Sequence, residues 1–521
     1  MKFLIGPALA LMLMPVSPLA AEQTGTGGEF RFWLLDPVET LDPANAVDRG
    51  ADDAVRNLFE GLLNEAPDGT LLPGVASGYS ESDDGLRYVF TLRPQARWSD
   101  GVPVTAQDFV HAWRRLADPA TGAELGWYVA DVMRLANADE IRAGQLPPED
   151  LGVVAMDDHR LEITLLARAP WFPRTLTHVA AFPLPRHVAD GGGVTGNGAF
   201  MLESNGPDGI SMIRNPAYWD AENVAPDRLS GIVENDQTAA LALYRAGGID
   251  RVQVAAGQLE RLRAELPAET VVLPVGCTYG YILNLSESGP PALADPAIRR
   301  ALDLLTDRET IAGTVLGGGQ QPAGSWTHWA ISGFVAPARP QDDPGPAGRA
   351  AEAAQLLEAA GITPETPLRL TLNYNTLDDH RRIAAAIQQM WRPYGIMLRL
   401  NNLDWRVHEG RMKAQEFELA RFGWCADYDD PAAFLDYFRR DGVNAGRFDN
   451  PAYDALLDDA LIAADPAARY TAAEAILARE LPMIAIYHYA RAELIRPGIG
   501  GIARRSALGR WYGKDIRLTA P

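Results

Sequence analysis

Alternating and helical spacings of apolar residues interleave along this chain. Tyr88, Phe90 and Leu92 alternate with Arg87, Val89 and Thr91 between the turns Asp83-Asp84-Gly85 and Ser99-Asp100-Gly101, which predicts a β-hairpin region. Strands are further predicted at 29–34, 199–203, 210–214, 279–285, 368–374, 396–401 and 483–488. Thr105 caps a helix with Asp108 as a capping-box acid, and Val110, Trp113 and Leu116 form its apolar face. At Asp295-Pro296 an N-cap precedes proline at the first helical position, and Ile298, Ala301, Leu302 and Leu305 follow at helical spacing. More helices fit 346–360, 379–393, 451–463 and 467–479. Both element types in alternation predict a mixed α/β fold with several crossings. No repeat period stands out, and the Pro/Gly-rich stretch 335–347 reads as a surface loop.

One apolar run breaks this pattern. Lys2 precedes an apolar run from Phe3 to Val16, and Ser17-Pro18-Leu19-Ala20-Ala21 follows ahead of Glu22, the layout of a cleaved secretory signal peptide with cleavage after Ala21. The run is about 14 residues long and holds Pro7 and Pro15, too short for a helix that crosses roughly 30 Å of hydrocarbon. No cysteine lies near the junction, so a lipid anchor is not expected.

Export changes the reading of Cys277 and Cys425, the chain's 2 cysteines. In an oxidising compartment they can pair in one way, and such a bond would restrain the unfolded chain by about 5 kcal/mol in an entropy model. Two buried free thiols are the alternative. Composition is globular, with 47% hydrophobic and 22% charged residues, and a chain of 521 residues predicts two or three lobes. A net charge of −21 argues against nucleic acid or anionic membrane as a partner.

A catalytic set is not found. There is no Gly-x-Ser-x-Gly elbow, His-Glu-x-x-His pair or Walker loop. The 8 histidines are scattered, His178 and His187 being the nearest pair, a spacing with no metal geometry behind it. Gly191-Gly192-Gly193 follows no apolar strand and reads as a loop. Asp429 and Asp430 stand before Pro431, where a turn explains them as well as acid–base chemistry does.

Several longer motifs remain: Asn57–Leu63, Arg97–Phe109 with its Ser-Asp-Gly-Val-Pro-Val-Thr-Ala-Gln-Asp core, Leu116–Pro119, Asn197–Phe200, Arg214–Trp219, Cys277-Thr278-Tyr279, Tyr374-Asn375-Thr376, and Gly423-Trp424-Cys425-Ala426-Asp427-Tyr428 continuing to Pro431. On these the chain, from about Phe30 to about Leu518, resembles the periplasmic oligopeptide-binding proteins of ABC importers, family 5 of the extracellular solute-binding proteins. The resemblance implies a three-lobed α/β fold of the type II periplasmic-binding-protein kind, with mixed sheets and a hinge between two ligand-clasping lobes. It implies a soluble monomeric periplasmic receptor with no cofactor and no metal, which hands a short peptide to an ABC transporter permease in the inner membrane. Lobe I would comprise 22–49, 178–272 and 496–521, lobe II 50–177 and lobe III 273–495.

The same resemblance assigns roles. Asp427 would meet the peptide ammonium, and Arg421 and His380 its carboxylate, a carboxylate beside His380 holding that imidazole charged. Gly423, Trp424 and Cys425 would form one strand flanking the peptide, with a second around Val38; Trp405, Trp424 and Tyr279 match pocket walls, although Tyr279 reads better as core. Departures from relatives fall at Gly280, in place of a tyrosine, where a pocket would widen; at Pro37, which has no N–H to donate; and at the short stretch 253–258. They point to an unusual cargo such as a cell-wall peptide. A receptor of the same fold for a murein tripeptide, a glycoside or a metal complex is the alternative, and a periplasmic hydrolase is disfavoured.

Overall fold

The computed structural model describes residues 27–188, 193–255, 257–337, 344–504 and 506–519. The signal-peptide reading of 1–21, Gly191 and Gly192 of the glycine run, and the middle of the 335–347 stretch lie outside these residues. No helix among the described residues is long and apolar enough to cross a membrane.

Most predicted elements are present within a residue or two. The capped helix is Ala106–Ala117, where the Asp108 carboxylate accepts the Thr105 backbone N–H at 2.8 Å and closes the capping box. Asp295 accepts the Ala297 N–H at 2.8 Å and starts the helix Pro296–Leu304. The hairpin pairs Ala76–Glu81 with Arg87–Leu92 inside a four-stranded antiparallel sheet that also holds Val153–Asp157 and Arg160–Thr164.

Among the described residues the larger sheet has 11 strands and is mixed. Its order is Ile396–Leu403, Leu368–Asn375, Leu419–Cys425, Thr270–Leu283, Met483–Ile495, Arg251–Gln253, Glu29–Leu34, Arg228–Val233, Gly209–Arg214 and Phe200–Gly206, with Gln321–Pro322 attached to Met483–Ile495. Two long strands therefore join its halves. Thr270–Pro274 pairs with Ala490–Leu494 in one half, Thr278–Ile282 pairs with Met483–His488 in the other, and the ladder breaks between them. Pro274 has no N–H to donate at that break, and the N–H of Gly276 goes instead to the carbonyl of Ala507. At the second irregularity stands Gly280, where a Cβ would lie 2.4 Å from the carbonyl oxygen of Ile484. Two strand backbones approach closely there, which leaves no room for a Cβ.

The helices cover the sheet with apolar stripes. Leu302, Ile387 and Trp391 pack under the half that carries Leu368–Asn375, together with the fully buried Tyr279 and Tyr281. A larger core runs from Phe30 and Trp113 through Trp171 to Tyr428 and Phe434, so the segment after Cys425 is packed against the first two hundred residues. Ring stacking of Trp171 on Tyr428, with centroids 5.8 Å apart, marks that junction.

Candidate functional site

Leu419–Cys425, the site strand, occupies a special position in the sheet. The chain passes from Leu368–Asn375 through helix Asp378–Trp391 to the parallel strand Ile396–Leu403, then through helix Trp405–Lys413 to the site strand on the opposite side of Leu368–Asn375. Strand order thus switches direction around Leu368–Asn375, and crevices at the carboxyl ends of such strands are where ligands lodge in open α/β sheets. His380 and Trp405 follow the carboxyl ends of Leu368–Asn375 and Ile396–Leu403, and Asp427 follows that of the site strand.

One edge of the site strand is open. Thr270–Leu283 pairs with it along its whole length, from Leu419 opposite Leu283 to Cys425 opposite Cys277. On the other side Leu368–Asn375 pairs only at Leu419 and Ala420 before it follows Ile396–Leu403 away. Backbone groups alternate in direction along a strand. The N–H of Ala426 goes to Gly276 on the paired side, while the carbonyl of Arg421 accepts from His408 Nε2 on the other. Even-numbered residues therefore bond Thr270–Leu283, and the main-chain groups of Gly423 and Cys425 face the open edge. Cys277 and Cys425 sit opposite each other with Cα atoms 4.0 Å apart and are joined by a disulfide, the pairing rather than the free-thiol alternative.

Asp427 lies just beyond the strand, half-buried, with no hydrogen bond or ion pair to its carboxylate among the described residues. Burial pushes its carboxyl up to about 6, Arg510 pulls it down, and Asp131 pushes it up. Arg510 is fixed there by two contacts, Nη1 donating to Thr177 Oγ1 at 2.7 Å and Nη2 to the backbone oxygen of Asp427 at 3.3 Å. Its neighbours in sequence, Asp429 and Asp430, are structural: Asp429 accepts the Ser332 N–H at 2.8 Å, and Asp430 accepts the Ala432 N–H at 3.0 Å as the chain turns into helix Ala432–Leu435.

Arg421 presents the opposite case. Among the described residues no carboxylate pairs with it; Nη2 donates to Tyr489 Oη at 3.2 Å and the guanidinium lies 5.1 Å from the centre of the Tyr279 ring. Buried polar atoms gather around it: Arg421 Nε and His408 Nδ1 have no hydrogen-bond partner among the described residues, and the hydroxyls of Tyr279 and Tyr281 lie within its electrostatic reach. Such a concentration marks a place prepared for water or a polar ligand. Gly423 leaves room for this arrangement, since a Cβ there would stand 3.2 Å from Arg421 Nη2.

His380 is buried beside the same group, its ring 5.5 Å from that of Tyr279 and its Nδ1 bonded to the carbonyl of Asn375 at 3.1 Å. Burial and then the Arg421 charge hold it down at about 4, so in the ligand-free protein it is neutral at physiological pH rather than charged. Trp405 is 51% exposed at the start of its helix and Trp424 is half-buried, its Nε1 donating to the Ala433 carbonyl at 2.6 Å. Tyr279 is core, stacked on Tyr487 at 4.8 Å. Val38 differs from expectation: the first strand ends at Leu34, Val38 lies in a non-strand segment with its side chain buried, and its carbonyl accepts from Asn205 Nδ2 at 2.9 Å.

Sequence reading missed Arg510, Asp131 and His408. Nothing local marks the first two, which reach Asp427 through the tertiary fold. A signal for His408 did exist: Asp404 caps its helix by accepting the Arg406 N–H at 2.9 Å, which puts Trp405 and His408 on one face, their rings 6.1 Å apart. No group of three His, Cys, Asp or Glu side chains suited to a metal ion occurs among the described residues.

Comparison with known proteins gives a consistent set of likenesses. The family described as bacterial extracellular solute-binding proteins, family 5 Middle, matches residues 70–446. The periplasmic murein peptide-binding protein MppA of Escherichia coli is 35% identical over 482 residues, covering 90% of this chain and 89% of its own. The periplasmic oligopeptide-binding protein OppA of Salmonella typhimurium is 34% identical over 499 residues, covering 92% of this chain and 91% of its own. Against the unliganded open form of MppA the fold has a TM-score of 0.88 at 33% identity, with 96% of this chain and 99% of that one covered.

Proposed function

The chain belongs to the bacterial extracellular solute-binding proteins of family 5, and from that premise we propose that it is a periplasmic receptor that captures short peptides and delivers them to an ABC permease in the inner membrane. The observation that carries this reading is the open edge at Gly423 and Cys425, flanked by Asp427 and Arg421, whose side chains make no ion pair with each other or with another charged side chain within salt-bridge distance among the described residues. A ligand of arbitrary side chains shares only its two backbone edges, its ammonium and its carboxylate with other peptides. An edge strand binds the first through main-chain hydrogen bonds without reading sequence, and the two charges bind the ends.

In this reading Asp427 takes the ammonium, Arg421 takes the carboxylate, and His380 gains a proton when that carboxylate arrives. Trp405 and Trp424 wall side-chain pockets, and the segment at Val38 approaches the free side of the ligand when the lobes close. The lobes are 22–49 with 178–272 and 496–521, 50–177, and 273–495, and closure turns on the broken ladder of the two long strands. Residues 1–21 direct export and are removed, and the mature chain acts as a monomer.

Native mass spectrometry of the purified protein, followed by calorimetry with a tripeptide and its amino-acetylated and amidated forms, tests the reading. A series of peptide masses and a loss of affinity on blocking either end are expected. A single non-peptide mass, or equal binding of blocked and unblocked peptides, overturns it.

A further inference from the structure

We propose that His408 sets the length of peptide this site accepts, by closing the main-chain edge of the site strand beyond Gly423. The inference rests on the peptide reading above. Leu368–Asn375 leaves the site strand after Asn373 and Ala420 and stays with its other neighbour as far as Asn375 and Leu403. The two strands thus splay into a wedge that a ligand strand would fill from its wide end. At the apex stands His408, 1% exposed, its Nε2 at 2.9 Å from the carbonyl oxygen of Arg421. A carbonyl only accepts, so Nε2 carries the hydrogen and Nδ1 does not, and Nδ1 is buried without a partner among the described residues. The first rung of the open edge is therefore already occupied. Gly423 and Cys425 are the rungs that remain.

Counting residues along the wedge turns this into a length. A ligand strand advances about 3.3 Å per residue, the same rise as the strand beside it. With its amine at Asp427, its first residue faces Cys425, its third faces Gly423, and a fifth would face Arg421, whose carbonyl is taken. Main-chain pairing ends with the third or fourth residue, at the point where the Arg421 guanidinium has no acid of its own. A longer peptide must either leave the edge or displace His408 and strand a buried imidazole N–H, a loss comparable to any unsatisfied buried donor. His408 is a specificity residue acting through the strand edge, and the substrates are tri- and tetrapeptides with free carboxyl ends.

Calorimetric titration of the full mature chain with tri-, tetra-, penta- and hexa-alanine tests this, on the unaltered protein and on His408→Ala and His408→Gln. The unaltered chain is expected to bind the two shorter peptides about tenfold or more tighter than the two longer. His408→Ala is expected to bring the hexapeptide within about threefold of the tripeptide, while His408→Gln, whose amide can still donate to the Arg421 carbonyl, keeps the gap. The length profile of the unaltered chain needs no variant: equal affinity for three and six residues overturns the proposal even where a variant fails to fold. An unchanged profile in a His408→Ala protein of near-normal melting temperature also overturns it. No binding at any length overturns the peptide reading itself.

Discussion

The two ends of the open strand edge are built on opposite principles. At Asp427 the acid already has company: Arg510 from the C-terminal segment and Asp131 from the helix Tyr128–Asp131 act on it from two sides, and burial leaves it poised at about 6. At Arg421 the cation has aromatic rings, a phenol and two histidines held neutral by burial, and no acid among the described residues. A ligand ammonium therefore enters a site whose charge is partly balanced and titratable. A ligand carboxylate enters one with a permanent and uncompensated charge. On the proposed roles, the expectation is that binding free energy is concentrated at the carboxylate end and pH sensitivity at the amine end.

The sharpest way to break this comparison is Arg421→Gln. A carboxylate delivered there would meet no full charge, and truncating one partner of a desolvated pair costs about 3 kcal/mol or more, roughly a hundredfold in affinity. Calorimetry with a tripeptide should show that loss, and the amidated tripeptide should bind the variant and the unaltered protein about equally. A loss shared equally by both ligands would mean that Arg421 shapes the strand rather than the charge.

Asp427→Asn is expected to cost less, about tenfold, because Asp131 remains nearby and the displaced interaction was partly balanced by Arg510. Its effect on the ligand-free protein has the opposite sign to a simple loss of an ion pair. The folded-state pKa of Asp427 lies at about 6, above its ordinary value of 3.8, so ionisation is disfavoured by the fold and stability is lost as pH rises through that range. Asparagine removes this term, and the melting temperature of the variant at pH 7.5 should be no lower than that of the unaltered chain. A clear fall would make Asp427 a structural acid.

How much of this was legible in the chain depends on how local each signal is. Strands such as Glu29–Leu34 and Leu368–Asn375, and the capped helices at Thr105 and Asp295, carry their pattern and punctuation within a dozen residues. The site strand does not. Leu-Ala-Arg-Phe-Gly-Trp-Cys has no alternation because its first two residues are buried side by side and the rest are half-buried or exposed on both faces, and only the resemblance of its motif marked it. Asp427, Arg421 and the cysteines were found through that motif. Arg510, which lies 83 residues from the carbonyl it holds, and the splay that lets His408 reach Arg421, depend on register and crossing and leave no trace in spacing. Gly280 was legible as an oddity but not in its cause, since the strand that crowds it begins two hundred residues later.

The titratable amine end gives a smaller effect with a definite sign. An acid at about 6 binds an ammonium only when ionised, so affinity should be nearly level above pH 7 and fall below 6, by about tenfold for each further unit. His380, at about 4 in the ligand-free protein, takes up its proton only when a ligand carboxylate arrives, so an amidated tripeptide isolates the trend of the amine end. Calorimetry from pH 7.5 to pH 5 measures it, and proton release should accompany binding near pH 6. A flat profile in the unaltered chain, or the same slope in Asp427→Asn, would assign the dependence to another group.

The smallest and most specific effect belongs to Asp131. Its charge raises the Asp427 pKa, and its own carboxylate is half exposed and paired only loosely with Arg142 at 3.8 Å. Replacing it by asparagine should lower the midpoint of the affinity–pH profile, so that at pH 5 the variant binds a free-amine tripeptide a few-fold tighter than the unaltered protein. At pH 7.5, where Asp427 is ionised in both, the order should reverse slightly, by about twofold, because the arriving ammonium loses a second negative neighbour across solvent. A crossing of the two profiles is the distinguishing result. A uniform loss at every pH would make Asp131 a packing residue, and no change at any pH would leave Arg510 as the group that sets the charge state of the amine end.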